Sequence, residues 1–176
     1  ALESQKKAFQ AQKDNKFKEE IINFKIKSKK TETVFNKDEH PREGINLEAL
    51  RRLKPVFKKD GTVTAGNASG INDGAAALTL MSSEEAEKRE MQKLVSIKSW
   101  TSCGVDPALM GTGPIPSSKR ALDLAGWSIN DVDLFEINEA FAAQSIAVIR
   151  TLSIPEEKVN VNGGAIALGH PIGASG

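Results

Sequence analysis

The chain has 176 residues, 39% hydrophobic and 27% charged, enough for one ordinary soluble domain with a sizeable core. No apolar run approaches the roughly eighteen residues of a membrane span, and the first thirty residues are polar and lysine-rich, unlike a secretory leader. Net charge is only +1, the single cysteine (Cys103) excludes an internal disulfide or a CxxC pair, and the two histidines, His40 and His170, are too far apart in sequence to suggest zinc.

In chain order, residues 2–19 read as a helix with Leu2, Phe9 and Phe17 as its apolar positions. Ile22, Phe24 and Ile26 then alternate with Asn23, Lys25 and Lys27, which predicts a half-exposed strand, a turn and a second strand ending at Phe35. "NKDEHPREG" is a loop, and "NLEALRRLKPVF" a short helix capped by Asn46 and ended by Pro55. "DGTVTAGNASGINDG" crosses between two halves with four glycines. From there the pattern predicts strand "AAALTLMS", a helix capped by Ser82 or Ser83, strand "KLVSIKSWTSCGV" and a helix closed by Gly126. Strand "DVDLFEIN", helix "EAFAAQSIAVIRTL" and strand "KVNVNGGAIALG" follow. Residues 72–176 thus alternate β-α-β-α-β-α-β, which predicts an α/β layered sheet. The chain opens without Met, as if inside a helix, and stops within a motif, so a fragment of something longer is expected.

Charge is uneven. Residues 1–60 hold sixteen Lys and Arg against ten Asp and Glu, whereas the remainder holds eight against thirteen. A basic first third suits either an anionic partner or a plain solvated face.

Three segments carry polar groups suited to chemistry. Asn138 and Glu139 stand where a strand hands over to a helix, fit either to cap the helix or to meet developing negative charge. His170 lies in "GGAIALGHPIGASG", with glycines on both sides and Pro171 restricting it toward extended backbone. A rigidly held imidazole there serves as a base, an oxyanion donor or a turn-forming hydrogen-bond partner. The stretch matches neither a P-loop nor a dinucleotide fingerprint. "TAGNASGINDG" offers Asn67, Ser69, Asn72 and Asp73, either as a plain turn or as a loop for an amide-rich ligand. Cys103 ends an alternating stretch with no cation beside it in sequence and reads as a small core or surface residue.

Taken together, "TVTAGNASGINDGAAALTLMS", "MGTGPIP", "NEAFA" and "NGGAIALGHPIGASG", in that order, resemble the thiolases over nearly the whole chain. The "GASG" ending leans toward the acetyl-CoA acetyltransferase branch. The resemblance implies a layered αβαβα fold made of two similar halves. It makes residues 1–71 part of a coenzyme A-binding loop domain and 72–176 an incomplete C-terminal domain. It implies a reversible condensation of two acetyl-CoA to acetoacetyl-CoA and CoA, in a homo-oligomer, a tetramer when full-length. It implies no metal, permanent cofactor, nucleic acid or membrane, and a cytoplasmic location with a mitochondrial alternative.

By resemblance His170 activates a nucleophilic thiol and helps bind a thioester oxyanion, and Asn138 serves the other oxyanion hole. Ser69 and the Ala65 backbone contact the pantetheine arm with Phe57 nearby, Arg42 contacts coenzyme A, and Met110 and Phe141 line the acyl site. The family uses two reactive cysteines, and Cys103 matches neither. The chain is therefore expected to be inactive alone, with a non-catalytic CoA- or lipid-binding module, or a truncated product, as alternatives.

Overall fold

The structure is a computed structural model that describes residues 1–175. Helix α1, Leu2–Lys13, opens it. The expected helix to residue 19 stops earlier because Asn15 takes the left-handed conformation, φ 56°. The Lys16 amide then donates to Ala11 O and the Asn15 amide to Gln12 O, a Schellman closure with asparagine in the place glycine usually takes. The buried face also differs from expectation. Ser4, Gln5, Ala8 and Ala11 are buried, whereas Leu2, Phe9 and Phe17 are only half-buried. Small side chains are needed on that face because Gly163 passes against Ala8; a Cβ on Gly163 would lie 2.6 Å from the Ala8 Cβ. Phe9 instead lies under the Lys13 ammonium, 4.8 Å from the ring centre.

Strands β1, Phe24–Lys27, and β2, Glu32–Phe35, form an antiparallel hairpin pairing Phe24 with Phe35 and Lys27 with Glu32. Ser28 donates to Thr31 O across the turn, and Lys25 pairs with Glu32 at 3.1 Å. The alternation located both strands, but every position of both is exposed, not half of them. Helix α2, Leu47–Arg51, is capped by the Asn46 side chain, as the sequence predicts, though it ends before Pro55.

The expected sheet of residues 72–176 does not form as a ladder. Residues 75–82 and 93–105 run without strand pairing among the described residues, and Leu78, Leu94 and Trp100 are 80–86% exposed. Alternation reports which way side chains point. It says nothing of whether a neighbouring strand is present to take the backbone hydrogen bonds. One side of the second stretch is nevertheless tied to a helix: Ser99 Oγ and Thr101 Oγ1 donate to Ala121 O and Ser117 O, each at 2.7 Å.

The helices lie largely where the pattern put them. Helix α3, Ser83–Lys88, is capped by Ser82. A 3-10 stretch, Pro107–Thr112, leads into α4, Pro114–Ala125, which Gly126 ends at φ 69°. Helix α5 is Ala142–Leu152, and the short α6, Ala165–Leu168, takes the end of the last expected strand. The two remaining strand expectations reduce to one parallel bridge, Phe135 with Val159. Beneath it Val148, Leu152, Ile154 and Val159 form the core, with Ile115, Ile129, Phe135, Ile137 and Ile149 packed against them. Burial of such side chains contributes roughly 1.5–3 kcal/mol each, which makes this the firm base for residues 135–138.

Candidate functional site

The segment bearing Asn138 is fixed from one side by a buried carboxamide. Phe135 N donates to Lys158 O and Asn160 N to Phe135 O. Asn160, 3% exposed, then replaces the next ladder step with its side chain: Oδ1 accepts from Ile137 N and Nδ2 donates to Ile137 O, both at 2.8 Å. Its own backbone is left-handed, φ 44°, a conformation asparagine tolerates better than most residues. Asn138 follows directly, on an exposed rim.

Glu139 turns the other way. Its Oε2 accepts from Ser4 Oγ at 2.6 Å and from Ile166 N at 3.2 Å, while Gly164 N donates to Ser4 Oγ. The carboxylate thus joins α1 to the start of α6. Gly164 must be glycine: a Cβ there would lie 2.6 Å from Asn160 Nδ2 and collide with the Glu139 carboxylate. Gln5 adds a second tie, donating to Ile166 O and accepting from Arg42 N at 2.8 Å.

Beyond α6 the backbone passes through Gly169, φ 97°, where a Cβ would lie 2.6 Å from Asn72 Oδ1. His170 then bridges in parallel to Ile71, and its amide donates to Asn72 Oδ1 at 3.1 Å. The imidazole reaches across to Asn138, with Nε2 3.3 Å from Asn138 Nδ2, and Nδ1 lies 2.6 Å from Ser175 Oγ. The structure therefore brings His170 and Asn138 together from two separate chain segments.

Ser69 and Phe57 lie against the segment around Phe141, three residues beyond Asn138. Ala68 bridges Phe141, Ser69 N donates to Ala140 O and Ala142 N to Asn67 O, so the glycine-rich loop lies antiparallel on the start of α5. Phe57 meets the Phe141 ring edge-to-face, centroids 6.3 Å apart. Ala65 sits in the turn that Asn67 closes by accepting from Thr64 N and donating to Thr62 O. Met110, 70% exposed, belongs to the 3-10 stretch whose Gly111 packs against Gln144 of α5. Arg42 is exposed and held through its backbone; the structure shows no contact from its guanidinium to His170 or Asn138.

Three residues escaped the sequence reading. Asn160 lies two residues before the motif that carries His170 and Ser175 lies within it, and His40 bonds Ala167 O through Nδ1 at 2.7 Å, tying the "DEHPR" loop to α6. The repeated Asn in "NVNGG", one of them at a left-handed position, was the available signal for Asn160. Glu136, two residues before Asn138, has its carboxyl raised above the ordinary carboxylate range by partial desolvation, then by the nearby Glu139, against a smaller opposing effect of Lys7. A cavity of about 460 Å3 lies elsewhere, between the end of α1 and the β1–β2 hairpin, and none of these side chains lines it. Among the described residues no group of three or more His, Cys, Asp or Glu is placed to hold a metal ion. No helix among them is long and apolar enough to cross a membrane.

Known proteins share both the sequence and the fold over this span. The family model "Thiolase, N-terminal domain" matches residues 1–84, and "Thiolase, C-terminal domain" matches residues 91–176. The chain is 58% identical to an acetyl-CoA acetyltransferase of Paracoccus denitrificans over 100% of its own length and 45% of the relative's. It is 56% identical to the cytosolic acetyl-CoA acetyltransferase of Mus musculus, with the same shares. The structure of the Bacillus anthracis acetyl-CoA acetyltransferase superposes with a TM-score of 0.91 at 50% identity, over 99% of this chain and 44% of that one. The chain thus spans slightly under half the length of these relatives, shares their α/β thiolase fold over that span, and belongs to the thiolase family.

Proposed function

We propose that the protein to which these residues belong is an acetyl-CoA acetyltransferase, condensing two acetyl-CoA to acetoacetyl-CoA and CoA and running the reverse thiolysis. The observation that carries this is the 3.3 Å approach of the His170 imidazole to the Asn138 carboxamide at one exposed rim. Forming an enolate from a thioester places negative charge on one oxygen, and fixed donors aimed at that oxygen are what lower the barrier. His170 takes the proton of the nucleophilic thiol and then donates to the thioester oxygen. Asn138 serves the other oxyanion hole, where it positions a water. Residues 1–71 serve the coenzyme side, where Ser69, the Ala65 backbone and Phe57 line the pantetheine arm and Arg42 meets a phosphate. Residues 72–176 supply the catalytic side chains, with Met110 and Phe141 around the acyl group. A homo-tetrameric assembly and a cytosolic location are parts of the same proposal, the latter supported by the cytosolic mouse relative.

The one cysteine of the chain, Cys103, is free, half-buried and matches neither reactive thiol of the family. The 176 residues by themselves therefore bind a coenzyme A thioester without turning it over. Titration of acetoacetyl-CoA with the chain, followed by calorimetry and by loss of the thioester, tests this. Saturable binding that weakens in Arg42→Ala, with no thiolysis, is expected. Absence of binding, or thiolysis that persists in His170→Ala, would overturn the assignment.

A further inference from the structure

We propose that Ser175 is a positioning residue that sets the tautomer of His170, holding the proton on Nδ1 and leaving the Nε2 lone pair facing Asn138. The proposal rests on the functional reading above only for its catalytic meaning; the tautomer itself is a property of this chain.

Ser175 Oγ lies 2.6 Å from His170 Nδ1 and 3.2 Å from Pro171 O. A serine hydroxyl has one proton to give and lone pairs to receive another, and a carbonyl only accepts. With the hydroxyl proton directed to Pro171 O, Oγ presents lone pairs to the ring, and Nδ1 must carry the hydrogen. The opposite side of the ring agrees. An amide nitrogen only donates, and Asn138 Nδ2 faces Nε2 at 3.3 Å, so Nε2 is the accepting nitrogen. Two partners on different segments thus demand the same neutral form. The backbone delivers the hydroxyl: Pro171 O also takes the Ala174 and Ser175 amides, at 2.8 and 2.9 Å, curling residues 171–175 back under the imidazole.

The consequence is directional. Nε2 has one lone pair, and a thiol that displaces the Asn138 amide from it gives up its proton there: the S–H bond breaks, an Nε2–H bond forms, and thiolate and imidazolium result. The ring does not turn during this transfer, because the Nδ1–H···Oγ bond is present before and after. The new Nε2–H faces another donor, Asn138 Nδ2, so the two groups then serve separate acceptors. The opposite tautomer offers no lone pair on that side and cannot start the sequence.

Long-range proton–nitrogen correlation spectra of the chain read the tautomer directly, with the His170→Gln spectrum separating its signals from those of His40. At the high-pH plateau of a titration, Nε2 is expected at the unprotonated, pyridine-type position and Nδ1 at the protonated, pyrrole-type one. Ser175→Ala is expected to shift the ring toward the Nε2–H form at unchanged melting temperature, and Ser175→Thr to restore it. An Nε2–H ring in the native chain overturns the proposal, as does a Ser175→Ala spectrum identical to the native one. Should Ser175→Ala fail to fold, the native spectrum alone still decides. Loss of coenzyme binding with the Nδ1–H form intact would sink the functional reading and leave this inference standing.

Discussion

Replacing Asn160 by aspartate keeps the shape of the side chain and changes only what it donates. Its Oδ1 still accepts from Ile137 N, but the donor that reaches Ile137 O at 2.8 Å is gone, and a carboxylate oxygen faces a carbonyl oxygen instead. An orphaned polar group in such a setting costs about 1–3 kcal/mol, and more when one member is charged. Because Asn160 is 3% exposed, water offers little relief, and about 3 kcal/mol is expected near pH 7. For a chain of this size that is a fall of about 6–12 °C in melting temperature. The pH dependence carries a signature of its own. Once protonated, the introduced carboxyl donates again, so folding favours the protonated form and raises its pKa above the unfolded value. The variant's stability relative to wild type is therefore best below the unfolded pKa and is lost as pH rises through the folded pKa. Paired thermal melts of both proteins at matched pH, with amide exchange at Ile137, measure it. A deficit that stays constant from acid to neutral pH, or a variant as stable as wild type at pH 7, would refute the clamp.

Two further outcomes follow from the same region. Gly164→Ala places a methyl against Asn160 Nδ2 and the Glu139 carboxylate, and chemical unfolding is expected to show a loss of about 3 kcal/mol, at the upper end for overpacking. Glu136→Gln should stabilise the chain selectively at higher pH. Its carboxyl is raised by partial desolvation and by Glu139, so the native Glu136 contributes best when protonated and loses that contribution as pH rises through its folded pKa. Melting curves that differ equally at pH 3 and pH 8 would count against that account.

What could be read from the chain beforehand divides by physical cause. Helix caps and stops are local, and Asn46, Ser82 and Gly126 are where their residue types place them. The chemistry-bearing motifs were legible as words, and His170 and Asn138 do meet. Pairing was not legible. Residues 75–82 read as a short apolar buried strand and 93–105 as an alternating one, yet no neighbour takes their backbone groups among the described residues. The buried face of α1 was misjudged because Ser4 and Gln5 are buried through their hydrogen bonds to Glu139, Gly164 and Ile166, not through their hydropathy. The roles of Asn160 and Ser175 depend on partners brought near by the fold, which no periodicity reveals.

The seam between α1 and the loop entering α6 has a cost in time. Ser4 finds its partner at Gly164, about 160 positions downstream. At roughly 5–20 residues per second of synthesis, α1 waits about 8–32 s before that partner exists. For most of that interval its small, polar inner stripe has only the segment around Arg42 to lie against, and so short a helix is marginal in water on its own. The side of this seam that is made first is thus among the last parts to settle, and a chaperone or a protease has that long to find it.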